Sequence, residues 1–212
     1  MESEAAPTIS ATYDSIFNSL RLLCDKTHEE LSAILEGFRE SYNIDSITRR
    51  VKSKKSFLDK AERADGERRA YPDPFRDIQD LIGIRVVVYY KHNLVDVRDK
   101  VLEHLHPIEL VEKKPASPSE FDYEGVHLIL PLSVAVRGQN ESAVSAMSGL
   151  FELQIKTLFQ HSWSQTEHNL GYKTAGAKLD PMIKRKLAFV AAQSWGADHI
   201  LEELASAAVA AS

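Results

Sequence analysis

Cysteine is nearly absent from this 212-residue chain: Cys24 is the single one. That excludes a disulfide framework and a cysteine-based zinc site. Long apolar runs are also missing. None approaches the roughly 20 residues a bilayer-spanning helix needs, so no membrane partner is expected. The first ten residues are acidic and lack an apolar core, unlike a signal peptide, and a cytoplasmic location is expected. An excess of positive charge is missing too. The chain has 26 Lys and Arg against 31 Asp and Glu, a net charge of −5, which disfavours a globally basic nucleic-acid binder.

What is present is ordinary for a globular α/β chain. Hydrophobic residues make up 43% and charged residues 27%. The length suits one domain with a helical appendage. The charge is uneven, however: Arg49 to Arg69 holds nine Lys or Arg and four Asp or Glu. A basic segment in an acidic protein points to a local anion site.

Residues 1–10 read as a disordered tail. Residues 11–41 carry Ile16, Leu20, Leu23, Leu31, Ile34, Leu35 and Phe38 at mostly three- and four-residue steps. This predicts an amphipathic helix with a break near Thr27. Residues 46–64 read as a second, basic helix and 65–74 as a loop. Leu81 to Tyr90 is a short β-branched run, a buried strand. Residues 93–105 fit a helix and Ile108 to Lys113 a strand. Residues 114–122 are a polar loop. Val126 to Val136 and Gly149 to Thr157 read as further strands, joined by a hairpin connection over 136–146. Helices are expected over 158–172 and 180–208. The expected architecture is a mixed sheet of four or five strands with helices packed on it, in one domain to about residue 179, followed by a C-terminal helix over 180–212. That helix either packs on its own domain or joins a subunit interface in a homo-oligomer.

Five constellations could carry chemistry. Lys52, Ser56 and Lys60, four residues apart, would stack along one helix face below Arg50, a cationic row that suits a polyphosphate. The plainer reading is a solvated face. Asp80 stands directly before Leu81-Ile-Gly-Ile-Arg85. It can bind Mg²⁺ beside a phosphate or cap the segment. Gly83 would let something approach the strand closely, and Arg85 needs a partner or a ligand. In Glu152-Leu-Gln-Ile-Lys-Thr157, the polar Glu152, Gln154 and Lys156 alternate with apolar residues, so one strand face is polar. If this strand neighbours that of Asp80, two carboxylates face one groove, as in Mg²⁺-dependent phosphoryl transfer. Tyr123 and His127 follow the polar loop, where a tyrosine can stack on a base or simply pack in a turn. Last, Trp163, Glu167 and His168 share one predicted helix. His161 and His168 lie seven apart with no carboxylate at ligand spacing, which is poor for zinc.

In this order, the segments resemble the synthetase domain of the RelA/SpoT family, and by length the small alarmone synthetases. Arg-x-Lys-x3-Ser-x3-Lys is met by Arg50, Lys52, Ser56 and Lys60. The Asp-to-Arg-Val element is met by Asp80, Gly83, Arg85 and Val86. The Tyr-to-His element is met by Tyr123, Gly125 and His127. The Glu-Gln-Arg-Thr element is met by Glu152, Gln154 and Thr157, with Lys156 in place of Arg. Trp163, Glu167, His168, Tyr172 and Lys173 close the pattern.

The resemblance covers residues 45–175 and implies a nucleotidyltransferase-like α/β fold. It implies transfer of the β,γ-pyrophosphate of ATP to the 3′-hydroxyl of GDP or GTP, with AMP released and Mg²⁺ as cofactor. By residue, it implies that Arg50 and Arg85 sandwich adenine. Lys52, Ser56 and Lys60 would hold the ATP phosphates. Asp80 would bind the metal, and Glu152 would orient or deprotonate the acceptor hydroxyl and share the metal. Tyr123 would stack on guanine, while His127, Gln154 and Lys156 line the acceptor side. The loop before Tyr123 lacks the family's usual basic residue and glycine and carries Glu120 and Asp122. That leaves a toxin-type member acting on the 3′ end of tRNA, with an antitoxin partner, as the alternative. Adenine nucleotide as acceptor and a non-catalytic nucleotide-binding module are the remaining readings.

Overall fold

The computed structural model describes residues 8–66, 68–113, 117, 121, 125–173 and 180–211, without the side chains of 168, 169 and 171–173. The elements run α1 (Ile9–Leu35), a 3₁₀ turn (Glu36–Phe38), β1 (Ile44–Val51), α2 (Lys54–Ala61), β2 (Ala64–Asp65), β3 (Arg68–Arg69), α3 (Pro74–Asp77), β4 (Ile82–Val88), α4 (Lys91–Leu102), β5 (Glu109–Lys113), β6 (Gly125–Pro131), α5 (Val134–Arg137), α6 (Glu141–Ser145), β7 (Leu150–Thr157), α7 (Leu158–Lys173) and α8 (Pro181–Ala210).

Five strands form the sheet in the order β1-β4-β7-β6-β5, while β2 and β3 make a separate two-stranded ladder. β4 and β7 are parallel and the other pairs antiparallel, so the sheet is mixed as expected. Alternation sends Ile82, Ile84, Val86 and Val88 to one face and Gly83, Arg85 and Val87 to the other. The first set joins Leu20, Leu23, Leu31, Leu94, Val97, Leu153 and Ile155 in one buried cluster, so α1 and α4 cover the apolar face.

The sequence expectation fails in four places. The basic helix over 46–64 is instead β1 followed by the short α2. Register from Ile44↔Val88 to Val51↔Ile82 ties β1 to β4, and Ser53 caps α2, its hydroxyl accepting from Ser56 N. Cross-strand hydrogen bonds, which local charge spacing does not reveal, decide this segment. Helix α1 runs unbroken through Thr27, which is buried and donates its hydroxyl to the Leu23 carbonyl at 2.7 Å. The helix starts at Ile9, capped by Thr8, inside the segment read as a tail. The expected hairpin at 136–146 instead holds α5 and α6, capped by Ser133 and Asn140.

α8 is tied to the far ends of the two central strands. Asp198 accepts from Thr157 Oγ1 at 2.8 Å. Glu202 caps α4, accepting from His92 N at 3.1 Å. Its other side leaves Phe189, Val190, Trp195, Ile200 and Leu204 exposed.

Candidate active site

The face opposite α1 is polar because β4 and β7 put their charged residues there in step. Gly83 pairs with Glu152 and Arg85 with Gln154, while across β7 Gln154 pairs with His127. On the other side β1 sets Arg50 opposite Gly83 and Thr48 opposite Arg85. The strand that follows Asp80 and the strand of Glu152 are therefore neighbours, the condition for two carboxylates on one groove.

At one end lies a cationic cradle. Lys52 N donates to the Leu81 carbonyl at 2.9 Å, which brings the residue after β1 beside the residues before β4. Lys52 Nζ then donates to Asp80 Oδ2 at 2.6 Å, and Lys60 Nζ from α2 to Asp80 Oδ1 at 3.0 Å. Two ammonium groups share one carboxylate, which leaves an excess of positive charge for an anion. Burial raises the Asp80 carboxyl, but the bond and charge of Lys52 and the charge of Lys60 outweigh it and hold it below the usual range. Lys52 does not stack with Ser56 and Lys60 on one helix, as expected, since it precedes α2. Lys52 and Lys60 still converge, through tertiary contact on Asp80, while the Ser56 hydroxyl accepts from Ser53 Oγ at 2.9 Å. Tyr13 on α1 buttresses the cradle by donating its hydroxyl to the Lys52 carbonyl.

Next along the face is a cleft of about 310 Å³, lined by Arg50, Gly83, Arg85, Gln154, His161 and Gln165. Arg50 lies over Gly83: a Cβ there would stand 3.4 Å from Arg50 Cγ and Nε. The close approach expected at Gly83 is thus made by Arg50 itself. The flat Arg85 guanidinium is held on two sides. Its Nε and Nη2 donate to Gln154 Oε1 at 3.3 and 3.2 Å. Its Nη1 lies 3.2 Å from His161 Nδ1 on α7. Because guanidinium only donates, Nδ1 is the accepting nitrogen. Burial, then the charges of Arg85 and Lys156, depress the His161 pKa and keep the ring neutral for this role. His161 and Gln165 went unassigned in the sequence. Their four-residue spacing, which puts both on one helix face, was the available signal.

Beyond the cleft stands Glu152. Gln154 Nε2 donates to its Oε2 at 2.8 Å, and its Oε1 lies 2.7 Å from His127 Nδ1 on β6. Burial raises this carboxyl; the bond and charge of His127 win, and it stays below the usual range despite Asp80. Tyr123 lies outside the described residues, as do the side chains of His168, Tyr172 and Lys173.

Lys156 is placed differently from the rest. It is 2% exposed, beneath α7, and its Nζ donates to Ser164 Oγ at 2.9 Å. Burial, then the Arg85 charge, pushes its pKa from an ordinary 10.5 down to about 7. The unfolded chain therefore binds the extra proton between about pH 7 and 10.5, and stability rises with pH across that window. A Lys156→Met variant is expected to be more stable than wild type at about pH 6.5, with the advantage shrinking towards about pH 9.5. Urea midpoints at both pH values measure this; an equal difference at both would contradict it.

The family model described as "Region found in RelA / SpoT proteins" matches residues 49–177. The chain is 28% identical over 171 residues to the GTP pyrophosphokinase YjbM of Bacillus subtilis (strain 168), covering 75% of this chain and 74% of that protein. Its fold matches a GTP pyrophosphokinase family protein from Streptococcus pneumoniae with a TM-score of 0.72 at 23% identity, over 93% of this chain and 94% of the other. It also matches small alarmone synthetase 1 from Bacillus subtilis, solved with its product pppGpp, with a TM-score of 0.70 at 23% identity, over 91% and 97%. A family match over more than half of the chain, on the segment that builds the cradle, the cleft and Glu152, makes this protein a member of the RelA/SpoT family with the fold of the small alarmone synthetases.

Proposed function

We propose that the protein is a small alarmone synthetase, transferring the β,γ-pyrophosphate of ATP to the 3′-hydroxyl of GDP or GTP and releasing AMP. The observation that carries this reading is the order of groups along one sheet face. A base-sized cleft walled by Arg50 and Arg85 adjoins the Lys52–Asp80–Lys60 cradle, with Glu152 on the next strand. Kinship with a GTP pyrophosphokinase supports it.

ATP would place adenine against the two guanidinium planes, which stack on π-systems, and its phosphates against Lys52, Lys60 and Ser56. Both ammonium groups would turn from Asp80 towards the phosphate oxygens. The acceptor oxygen attacks the β-phosphorus, the bond from that phosphorus to the α,β-bridging oxygen breaks, and AMP leaves with the electron pair. Glu152 orients the hydroxyl and takes its proton. A carboxylate held below its usual range is a weak base, so orientation is the larger part of its work. Lys156, under α7, would act on the acceptor side from beneath through its charge.

Asp80 and Glu152 also suit Mg²⁺. Both are held ionised, both offer hard oxygen, and Mg²⁺ commonly uses one or two carboxylates plus substrate phosphates. When bound, the ion would neutralise charge on the triphosphate.

An acceptor screen tests the reading. Purified protein with Mg²⁺ and ATP labelled at the γ-phosphate is offered GDP, GTP, ADP, ATP or deacylated tRNA. Label is expected in the guanine nucleotide, with AMP formed in equal amount. Label in tRNA would replace the acceptor class, and no transfer to any acceptor would overturn the synthetase reading.

A further inference from the structure

The resemblance places Gln154 against the acceptor substrate, yet its amide is already committed at both ends. Gln154 is 9% exposed. Its Oε1 accepts twice from Arg85, and its Nε2 donates to Glu152 Oε2. The line continues in both directions, to His161 through Arg85 and to His127 through the other Glu152 oxygen. It crosses from α7 over β4 and β7 to β6.

We propose that Gln154 is a positioning residue, tying the Glu152 carboxylate to the Arg85 guanidinium so that one side chain sets both the donor cleft and the acceptor carboxylate. This rests on the synthetase reading for what the two ends do. Strand alternation puts Gln154 and Glu152 on one face, two residues apart, close enough for a direct bond. Two N–H donors of one charged guanidinium on Oε1 polarise the amide and strengthen its N–H towards Glu152. A base stacked on Arg85 fixes the first link and through it the last, so occupancy of the donor cleft tightens the acceptor side. By linkage the acceptor tightens the donor equally.

Two substitutions separate this role from substrate contact. Gln154→Glu keeps the size and the acceptor for Arg85, but sets a second carboxylate oxygen against Glu152 Oε2. The repulsion separates Glu152 from position 154 while the bond to Arg85 stays, so kcat is expected to fall roughly 100-fold with the KM for ATP little changed. Calorimetry reads the link without turnover: GDP is expected to bind wild type about fivefold or more tighter beside a non-hydrolysable ATP analogue, and Gln154→Met to lose that difference.

Gln154→Met removes all three bonds at similar volume. It is expected to lower kcat roughly 100-fold, the cost of a misplaced reacting group, with a smaller change in the acceptor KM. Undiminished coupling between the two ligands in Gln154→Met would overturn the inference. So would a Gln154→Met variant with a raised acceptor KM and normal kcat, which would make Gln154 a substrate contact. The binding measurement needs no turnover, so a wild type that transfers nothing would sink the synthetase reading and leave this test intact.

Discussion

Glu152→Gln is expected to lower kcat for pyrophosphate transfer by about 100- to 10,000-fold while the protein stays folded. The substitution keeps the shape and an accepting oxygen for Gln154 Nε2, sets an NH₂ against His127 Nδ1, which accepts in one neutral tautomer, and removes the charge and the proton acceptor. It also removes the repulsion between this carboxylate and Asp80, so no loss of stability comes from that source. In wild type the Glu152 carboxyl stays ionised below the usual carboxylate range, held there by His127 against the opposing effect of burial. Its contribution to stability is therefore present above the unfolded pKa and is lost as pH falls through the folded one. The acid limb of kcat in wild type lies at correspondingly low pH. Steady-state kinetics at saturating ATP and GDP, alongside a urea melt, give both quantities. A variant within tenfold of wild type would show that Glu152 is not the acceptor-side carboxylate.

Phe57→Ala is expected to cost about 3–5 kcal/mol, a large part of the roughly 5–15 kcal/mol that holds a domain together. Phe57 is 0% exposed, with ring centroids 5.1 Å from Tyr13 and 4.8 Å from Phe75. Those three rings join α1, α2 and the segment that leads to Asp80, with little room to close a cavity. The effect reaches the site, because α2 carries Ser56 and Lys60. Under conditions where the variant is still folded, KM for ATP should rise as the cradle loosens. The urea midpoint measures the stability term. A loss under about 1 kcal/mol would mean that neighbouring side chains fill the space.

Much of the site was legible in the chain because strand alternation is a local property. Leu81 to Tyr90 could be read as a buried strand carrying Arg85, and Gly149 to Thr157 as a strand whose polar face carries Glu152 and Gln154. The spacing of Lys52, Ser56 and Lys60 was also legible, yet it led to the wrong element. Steps of two and four fit a helix, and nothing nearby contradicts one. The backbone of 44–51 instead satisfies its hydrogen bonds on β4, some forty residues later in the chain.

The sequence by itself determined the class of molecule and the two central strands, since these follow from composition and short-range periodicity, while the charged residues of the cleft were named through the resemblance that their order of motifs carries. The tertiary structure alone decided how those residues are used. It folded Lys52 and Lys60 onto one carboxylate, laid Arg50 over Gly83, set His161 behind Arg85, buried Lys156 under α7 and committed both ends of Gln154. Each of these depends on which groups from distant segments share a low-dielectric space. There, an ion pair or a hydrogen bond sets both geometry and protonation, and no local pattern encodes that.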